Sequence, residues 1–409
     1  MARWTAAGCD MPDPDRAVDV LLVGGGVASA RCARTLRRNG FAGSILLVGD
    51  EERAPYNRPP LSKELLRDDL PDDLLAAEPL GWYERHTIEL RTGVHVTELE
   101  PAGRRAALDD ADTVTFDRLL IATGAEVRKL AIPGAETSLT LRTADDARRI
   151  RASGLAAGEG APVVIVGGGF IGLEVASSLA AIGLRPSVIE RSEELWAGTL
   201  GRQLSEWATE RLAGVGVELR LDATITRIGD GAAWIGEERL PAAFVVVGVG
   251  VRPRTELAEA AGLRVDDGIV VDAGQRTDHP AVWAAGDVAR IDDSQRIEHW
   301  HAAREAGERA ALSMLGLPVP APPAPWVFSE IGGTTVDVIG ATAGWDEERW
   351  LDRERRVLAY LAGGRVIGLA IVDGAVAPDV ARRLMQGGAG EHDIVAAVRE
   401  QASAQTGVG

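Results

Sequence analysis

The stretch Val163-Val-Ile-Val-Gly167-Gly-Gly169-Phe-Ile-Gly172-Leu-Glu174 decides the fold of this chain. Four consecutive β-branched residues predict a buried strand, the glycines a tight turn, and the residues that follow a helix. A dinucleotide pyrophosphate needs that order. Gly167 permits the turn, Gly169 lets the backbone approach the phosphates, and Gly172 lets the helix pack close to the strand. The helix N-terminus then offers unpaired N–H groups to the anion. Glu190 closes the next predicted strand, Arg185-Pro-Ser-Val-Ile-Glu190, where a carboxylate can accept from a ribose hydroxyl.

Upstream the pattern occurs a second time. Val18-Asp-Val-Leu-Leu-Val23 reads as a buried parallel strand running into Gly24-Gly-Gly26-Val-Ala28-Ser29, with a helix over Ala30 to Asn39. Gly24 aligns with Gly167 and Gly26 with Gly169, but Ser29 stands where the central copy has Gly172. Asp50, after the next strand, corresponds to Glu190. Two such units in one chain call for two dinucleotides, one held tightly and one exchanged, for which FAD and a nicotinamide nucleotide are the natural pair.

Between the two units lies Pro55-Tyr-Asn-Arg58-Pro59-Pro60-Leu61-Ser62-Lys63. Its prolines stiffen a segment entering a helix capped by Ser62. By itself Lys63 reads as a solvated surface lysine. A polar helical stretch over Lys63 to Asp73, a helix near Trp82 and paired short strands over Ile88 to Val96 follow. Thr115 to Ala122 is a further buried strand ending in a glycine turn at Gly124. Beyond the central unit, strands are expected at Val215–Arg220, Phe244–Gly248, Gly268–Asp272 and from Val282. Asp287, just past Gly286, is a helix cap or a ligand of a cofactor hydroxyl. A Pro-rich linker, Leu317 to Pro325, precedes a small α+β region with a strand at Thr334–Gly340, a hairpin turning on Gly363-Gly364 and two terminal helices.

Composition agrees with a globular protein: 409 residues, 46% hydrophobic, 26% charged. A net charge of −17 argues against nucleic-acid binding. The longest apolar run, Ala242 to Val251, is about half a membrane span, and the N-terminus lacks the apolar segment of a secretory signal, so a cytoplasmic address without membrane association is expected. No metal site is expected. Cys9 sits in a tail expected to be disordered, and Cys32 reads as a small buried thiol on the first helix, so no paired redox motif is present.

From Val18 onward the chain resembles the FAD- and NADH-dependent ferredoxin reductases that feed oxygenases, which share a glutathione-reductase-like fold with apoptosis-inducing factor. The resemblance rests on Gly24-x-Gly26, Arg58-Pro-Pro-Leu-Ser-Lys63, Ala122-Thr-Gly124, Leu141-Arg-Thr143, the central run Gly167 to Glu174, Gly286-Asp287 and Trp326, in that order. It implies an α/β fold with two Rossmann-like dinucleotide-binding domains and a C-terminal α+β domain. The expected boundaries are a tail at 1–16, an FAD domain at 17–127 and 251–325, an NAD(H) domain at 128–250 and the C-terminal domain at 326–409.

The resemblance also implies residue roles. Gly24, Gly26, Ala28 and Asp50 hold the ADP half of FAD, and Arg58 belongs to the same site. Val96, Thr123 and Gly124 line the adenine and pyrophosphate path. Arg142 contacts FAD, Asp287 meets the ribityl chain, and Trp300 offers a backbone contact at the flavin pyrimidine edge. Gly167, Gly169, Gly172, Glu190 and Gly250 hold the nicotinamide nucleotide. Lys63 and Glu174 face each other near the flavin as the expected catalytic pair. Glu174 also reads as an acidic residue favoured early on a helix. Glu190 repels a 2′-phosphate, so NADH is preferred to NADPH, although Arg185 and Arg191 could offset it.

The implied activity is hydride transfer from NADH to FAD, then single-electron transfer to a ferredoxin-type iron–sulfur partner. With no cysteine pair, electrons must leave from the flavin itself. The last domain departs from the family: its Trp-Phe-Trp-Ser-Asp run reads Trp326-Val-Phe328-Ser329-Glu330, and Glu305 replaces a glutamine. Reduction of a quinone or other small oxidant is therefore a second reading, and a partner-binding flavoprotein of the apoptosis-inducing-factor type a third. The sequence leaves the oligomeric state open.

Overall fold

The structure, a computed structural model, describes residues 16–406 apart from Leu80 and Arg353, and the side chains up to Gln401. The expected tail, with Cys9, lies outside these residues except for Arg16, which already pairs with Val114 in the first strand. Among the described residues no helix is long and apolar enough to cross a membrane.

Arg16–Val23 is the centre of a seven-stranded sheet, hydrogen-bonded in parallel to Ile45–Gly49 on one side and to Thr113–Ile121 on the other. Val20, Leu21 and Leu22 are fully buried because helices cover one face of the sheet and further chain covers the other. Thr113–Ile121 is shared. Its first half pairs antiparallel with Arg105–Leu108, and its second half pairs parallel with Val282–Ala284, which returns from far along the chain. The expected pairing within Ile88–Val96 is not formed. Ile88–Thr92 runs parallel to Ile45–Gly49 at one edge, while Val96–Glu100 pairs antiparallel with Arg105–Leu108 at the other. Short apolar runs specify strands but not partners, and Gly93, at φ +70°, turns the chain between them.

The second sheet repeats the plan. Pro162–Val166 lies between Arg185–Ile189 and Val245–Val247, with Glu218–Arg220 and Leu139–Thr140 outside, all in parallel. Two strands join the units, Ala125–Val127 pairing antiparallel with Val251–Pro253. The last sheet is five-stranded and antiparallel, with Trp326–Ile331 at one edge beside Thr334–Gly340. Its hairpin, Val357–Ala362 with Arg365–Val372, turns on Gly363 and Gly364, both at positive φ as a tight two-residue turn requires.

Candidate functional site

Both glycine turns open towards one cleft of about 1270 Å³. In the first, Gly24 has φ +117° and a Cβ there would lie 2.1 Å from the Ala122 carbonyl oxygen. In the second, Gly167 has φ +111° and its Cβ would lie 2.4 Å from Gly248 O. Side chains are thus excluded where each turn passes the neighbouring strand. Gly26 and Gly169, by contrast, face nothing within 4 Å, so each leaves an open cradle at the start of its helix, Val27–Arg38 or Phe170–Ala181. The first helix begins earlier than the expected Ala30.

The cleft brings together all twelve residues that the resemblance assigns to the FAD site, from Gly24 to Trp300 and with Lys63 among them, and reaches Gly169, Glu174 and Gly250 of the second unit. Gly167, Gly172 and Glu190 do not line it.

At its inner end lies a buried ion pair. Lys63 Nζ is 2.7 Å from Glu174 Oε2, with both residues under 10% exposed. Glu174 lies past the first turn of its helix, and its carboxylate is met by other chain segments rather than by the helix end. Ser62 Oγ donates to Oε2; Ser329 Oγ donates to Oε1 at 2.6 Å and the Glu330 N–H at 3.3 Å. Ser62 is therefore not a helix cap. It ends a 3₁₀ turn, Pro59–Ser62, and spends its hydroxyl on the buried carboxylate, while two short helices, Glu64–Asp68 and Asp72–Leu75, replace the single stretch expected. Lys63 also donates to Pro59 O at 3.2 Å, and its ammonium lies 5.7 Å from the Phe328 ring centroid.

Around the cleft, Arg142 donates to Asp287 at 2.9 Å, so Asp287 meets a cation rather than capping a helix. Arg58 donates to Glu51 at 2.7 Å and to the Arg142 carbonyl. Trp300 donates from Nε1 to Asn57 at 2.9 Å and carries the Arg304 guanidinium over its ring. Thr143 caps the helix Ala144–Ala157 through a reciprocal bond with Asp146 and so fixes Arg142 at the rim. Asp50 accepts from Arg254 at 2.6 Å. Burial works to raise the Asp50 pKa, but the Arg254 hydrogen bond and charge outweigh it and hold the carboxyl low. Glu190 accepts from the Gly168 N–H at 2.7 Å and the Ser192 N–H at 2.9 Å, which fixes its carboxylate behind the second turn. Burial lowers the pKa of His299, whose Nε2 accepts from the Phe328 N–H at 3.2 Å.

These residues fit a bound dinucleotide. Two cradles lack side chains where phosphates approach, and two buried polar atoms on the cleft wall, His299 Nδ1 and Arg142 Nε, have no partner among the described residues. Sequence reasoning missed His299, Arg254 and the clamp of Ser62 and Ser329 on Glu174. A serine or histidine in a polar context carries no periodic signal. Cys32 is fully buried on the first helix, and burial pushes its thiol far up, out of reach of redox chemistry at neutral pH.

Two glycine turns sharing a cleft with a buried Lys–Glu pair define an oxidoreductase of two dinucleotides. Residues 18–307 match the pyridine nucleotide-disulphide oxidoreductase family, and the chain belongs to it. Within that family it groups with the ferredoxin reductases. It is 35% identical over 336 residues to the biphenyl dioxygenase system ferredoxin–NAD(+) reductase component of Paraburkholderia xenovorans, covering 80% of this chain and 81% of that one. It is 38% identical over 335 residues to the probable ferredoxin reductase CtmF of Castellaniella defragrans, covering 78% and 81%. A solved covalent complex of putidaredoxin reductase with putidaredoxin superposes with a TM-score of 0.85 at 28% identity, over 92% of this chain and 93% of the other.

Proposed function

We propose that this chain takes a hydride from NADH onto FAD and passes electrons singly to a ferredoxin-type iron–sulfur protein that supplies an oxygenase. The observation that carries this reading is the Lys63–Glu174 pair, at 2.7 Å, where the wall of the first nucleotide unit meets the helix of the second. A bound flavin supplies a two-electron acceptor able to release electrons one at a time. The protein's part is placement and charge. The Gly24 and Gly26 turn, with the helix Val27–Arg38 behind it, would hold the FAD pyrophosphate, while Arg142 and Asp287 would flank the cofactor chain. The Gly169 cradle would bring the nicotinamide nucleotide to the same cleft, so proximity supplies much of the acceleration. Lys63 would offer positive charge beside the reacting ring, with Glu174 fixing its position.

Glu190 favours NADH over NADPH, because a carboxylate pinned by two backbone N–H groups cannot swing away from a 2′-phosphate. The FAD unit is read as 17–127 with 251–325, the nicotinamide unit as 128–250 and the C-terminal α+β domain as 326–409, in a cytoplasmic protein. Departures at Phe328 and Glu305 keep a small oxidant as a second acceptor class; Glu305 pairs with Arg382 at 2.8 Å and Phe328 stands against Lys63.

Stopped-flow reduction of the FAD-loaded protein by NADH, then reoxidation by a panel of ferredoxins and quinones, tests the assignment. Rapid reduction and transfer to a ferredoxin are expected. Slow reduction by NADH, or transfer to quinones alone, overturns it. Lys63→Ala and Glu174→Ala should each slow flavin reduction by roughly two orders of magnitude with FAD retained.

A further inference from the structure

We infer that Ser329, on the edge strand of the C-terminal sheet, is a positioning residue for the Lys63–Glu174 pair, holding the carboxylate so that the ammonium remains available to the cleft. The inference rests on reading this cleft as the flavin site.

A buried carboxylate needs donors for both oxygens, and the count here divides evenly. Oε2 receives Lys63 and Ser62; Oε1 receives Ser329 at 2.6 Å and the Glu330 N–H at 3.3 Å, both from the strand Trp326–Ile331. Ser329 is 1% exposed. The two oxygens of one side chain are thus shared between the segment that carries Lys63 and the C-terminal sheet. An ammonium has three N–H donors. Lys63 gives one to Glu174 and one to Pro59 O, which leaves one for the cleft that it lines. With its other lone pairs met by two hydroxyls and an amide, Glu174 has less need of that third proton.

The strand is placed for this task by other bonds. Glu330 pairs with Arg67, in the helix directly after Lys63. The Gly332 N–H donates to Ser177 at 2.9 Å, and Ser178 donates to the Ser62 carbonyl at 2.7 Å. Helix Phe170–Ala181, the Pro59–Ser62 turn and the C-terminal strand are therefore held in one register, with Ser329 at their crossing. Removing its hydroxyl leaves Oε1 with only the longer amide bond. The under-satisfied carboxylate then draws the ammonium away from the cleft, and a flavin gaining negative charge on reduction loses stabilisation.

The test uses the FAD-loaded full chain. The flavin midpoint potential is measured by chemical titration against a reference dye, and NADH reduction by stopped flow. For Ser329→Ala we expect a more negative potential and reduction slowed about tenfold with FAD content unchanged, and restoration of both by Ser329→Thr, which keeps the hydroxyl. A potential unmoved and a rate within about twofold of the parent in a folded, FAD-bearing Ser329→Ala protein overturn the inference, as does a failure of threonine to restore them. Should Ser329→Ala not fold, Ser62→Ala strips the opposite oxygen: a lowered potential and slowed reduction there support the inference, and unchanged values overturn it. Because the potential titration uses neither NADH nor a protein acceptor, it separates this inference from the proposed electron path. A parent flavin that NADH does not reduce would defeat the path and leave the potential shift to be judged independently.

Discussion

The two nucleotide units share a plan but solve close packing differently. In each, a central parallel strand runs into a turn whose first glycine passes under a carbonyl of the neighbouring strand's exit, Ala122 in one and Gly248 in the other. The third position separates them. Gly172 lies against its own turn, where a Cβ would sit 2.0 Å from Gly167 O. Its counterpart Ser29 is fully buried, with a hydroxyl that has no partner among the described residues. In the first unit the glycine that packs against this helix lies on the covering helix instead. Gly307, on Trp300–Met314, would place a Cβ 2.2 Å from Ala28 O. The first unit is sealed by a later helix of the same chain, whereas the second leaves its helix to the C-terminal strand and the Lys63 segment.

The largest effect should come from filling the open cradles. A methyl group at Gly26 or Gly169 meets no protein atom within 4 Å, so Gly26→Ala and Gly169→Ala should fold normally. Gly26→Ala should lose FAD, with affinity reduced by roughly two orders of magnitude in apoprotein titration. Gly169→Ala should keep FAD yet show a similar loss in NADH affinity. If both lose the same ligand, the two units have not divided the cofactors.

Exchanging the third residues comes next. Gly172→Ser should destabilise the fold by about 2–3 kcal/mol in denaturant titration, since backbone rather than a flexible side chain blocks it. Ser29→Gly should change stability by about 1 kcal/mol or less, because the loss of packing is offset by removal of an unpaired hydroxyl. Equal costs would refute the packing difference.

Glu190→Gln should improve the use of NADPH relative to NADH about tenfold, read as the ratio of kcat/KM values, since it removes charge from the position proposed to face the ribose in the second unit. The first unit's counterpart, Asp50, is already neutralised by Arg254.

The smallest effect concerns pH. His301, stacked 3.6 Å from the Trp326 ring between the first unit and the C-terminal sheet, is lowered to about 4 by burial from an ordinary 6.5. A depressed histidine binds fewer protons folded than unfolded. Its contribution is therefore complete above about 6.5 and is lost as pH falls towards about 4. Burial raises Asp337 and Glu298, which pull the other way. Thermal melts should show a smaller drop between about pH 7 and about pH 5 in His301→Phe than in the parent. An identical drop would remove His301 from the account.

Much of the site was legible because glycine geometry is local. A turn that must pass under a carbonyl or approach a phosphate admits no side chain, so Gly24, Gly26, Gly167, Gly169 and Gly172 announce themselves in any register. Strands written as β-branched runs, such as Pro162–Val166 and Thr334–Gly340, were equally plain. Ile88–Thr92 was legible as a strand, but the partner expected before Val96 was not formed: the next strand, Val96–Glu100, begins where that reading ended and joins the opposite sheet edge, since pairing depends on what else covers the sheet. Ser62 was misread as a cap because a serine before a helix has two uses, and only the position of Glu174 chooses between them.

By itself, then, the sequence determined the two glycine turns, the strands that lead into them and the lack of a cysteine pair in redox spacing, all written in short-range pattern. Only the tertiary structure decided how Glu174 is held. Its hydroxyl partners lie 112 and 155 positions away, and its carboxylate answers to two distant segments at once. Such bonds follow from which surfaces pack together once water is excluded, and no local period encodes them.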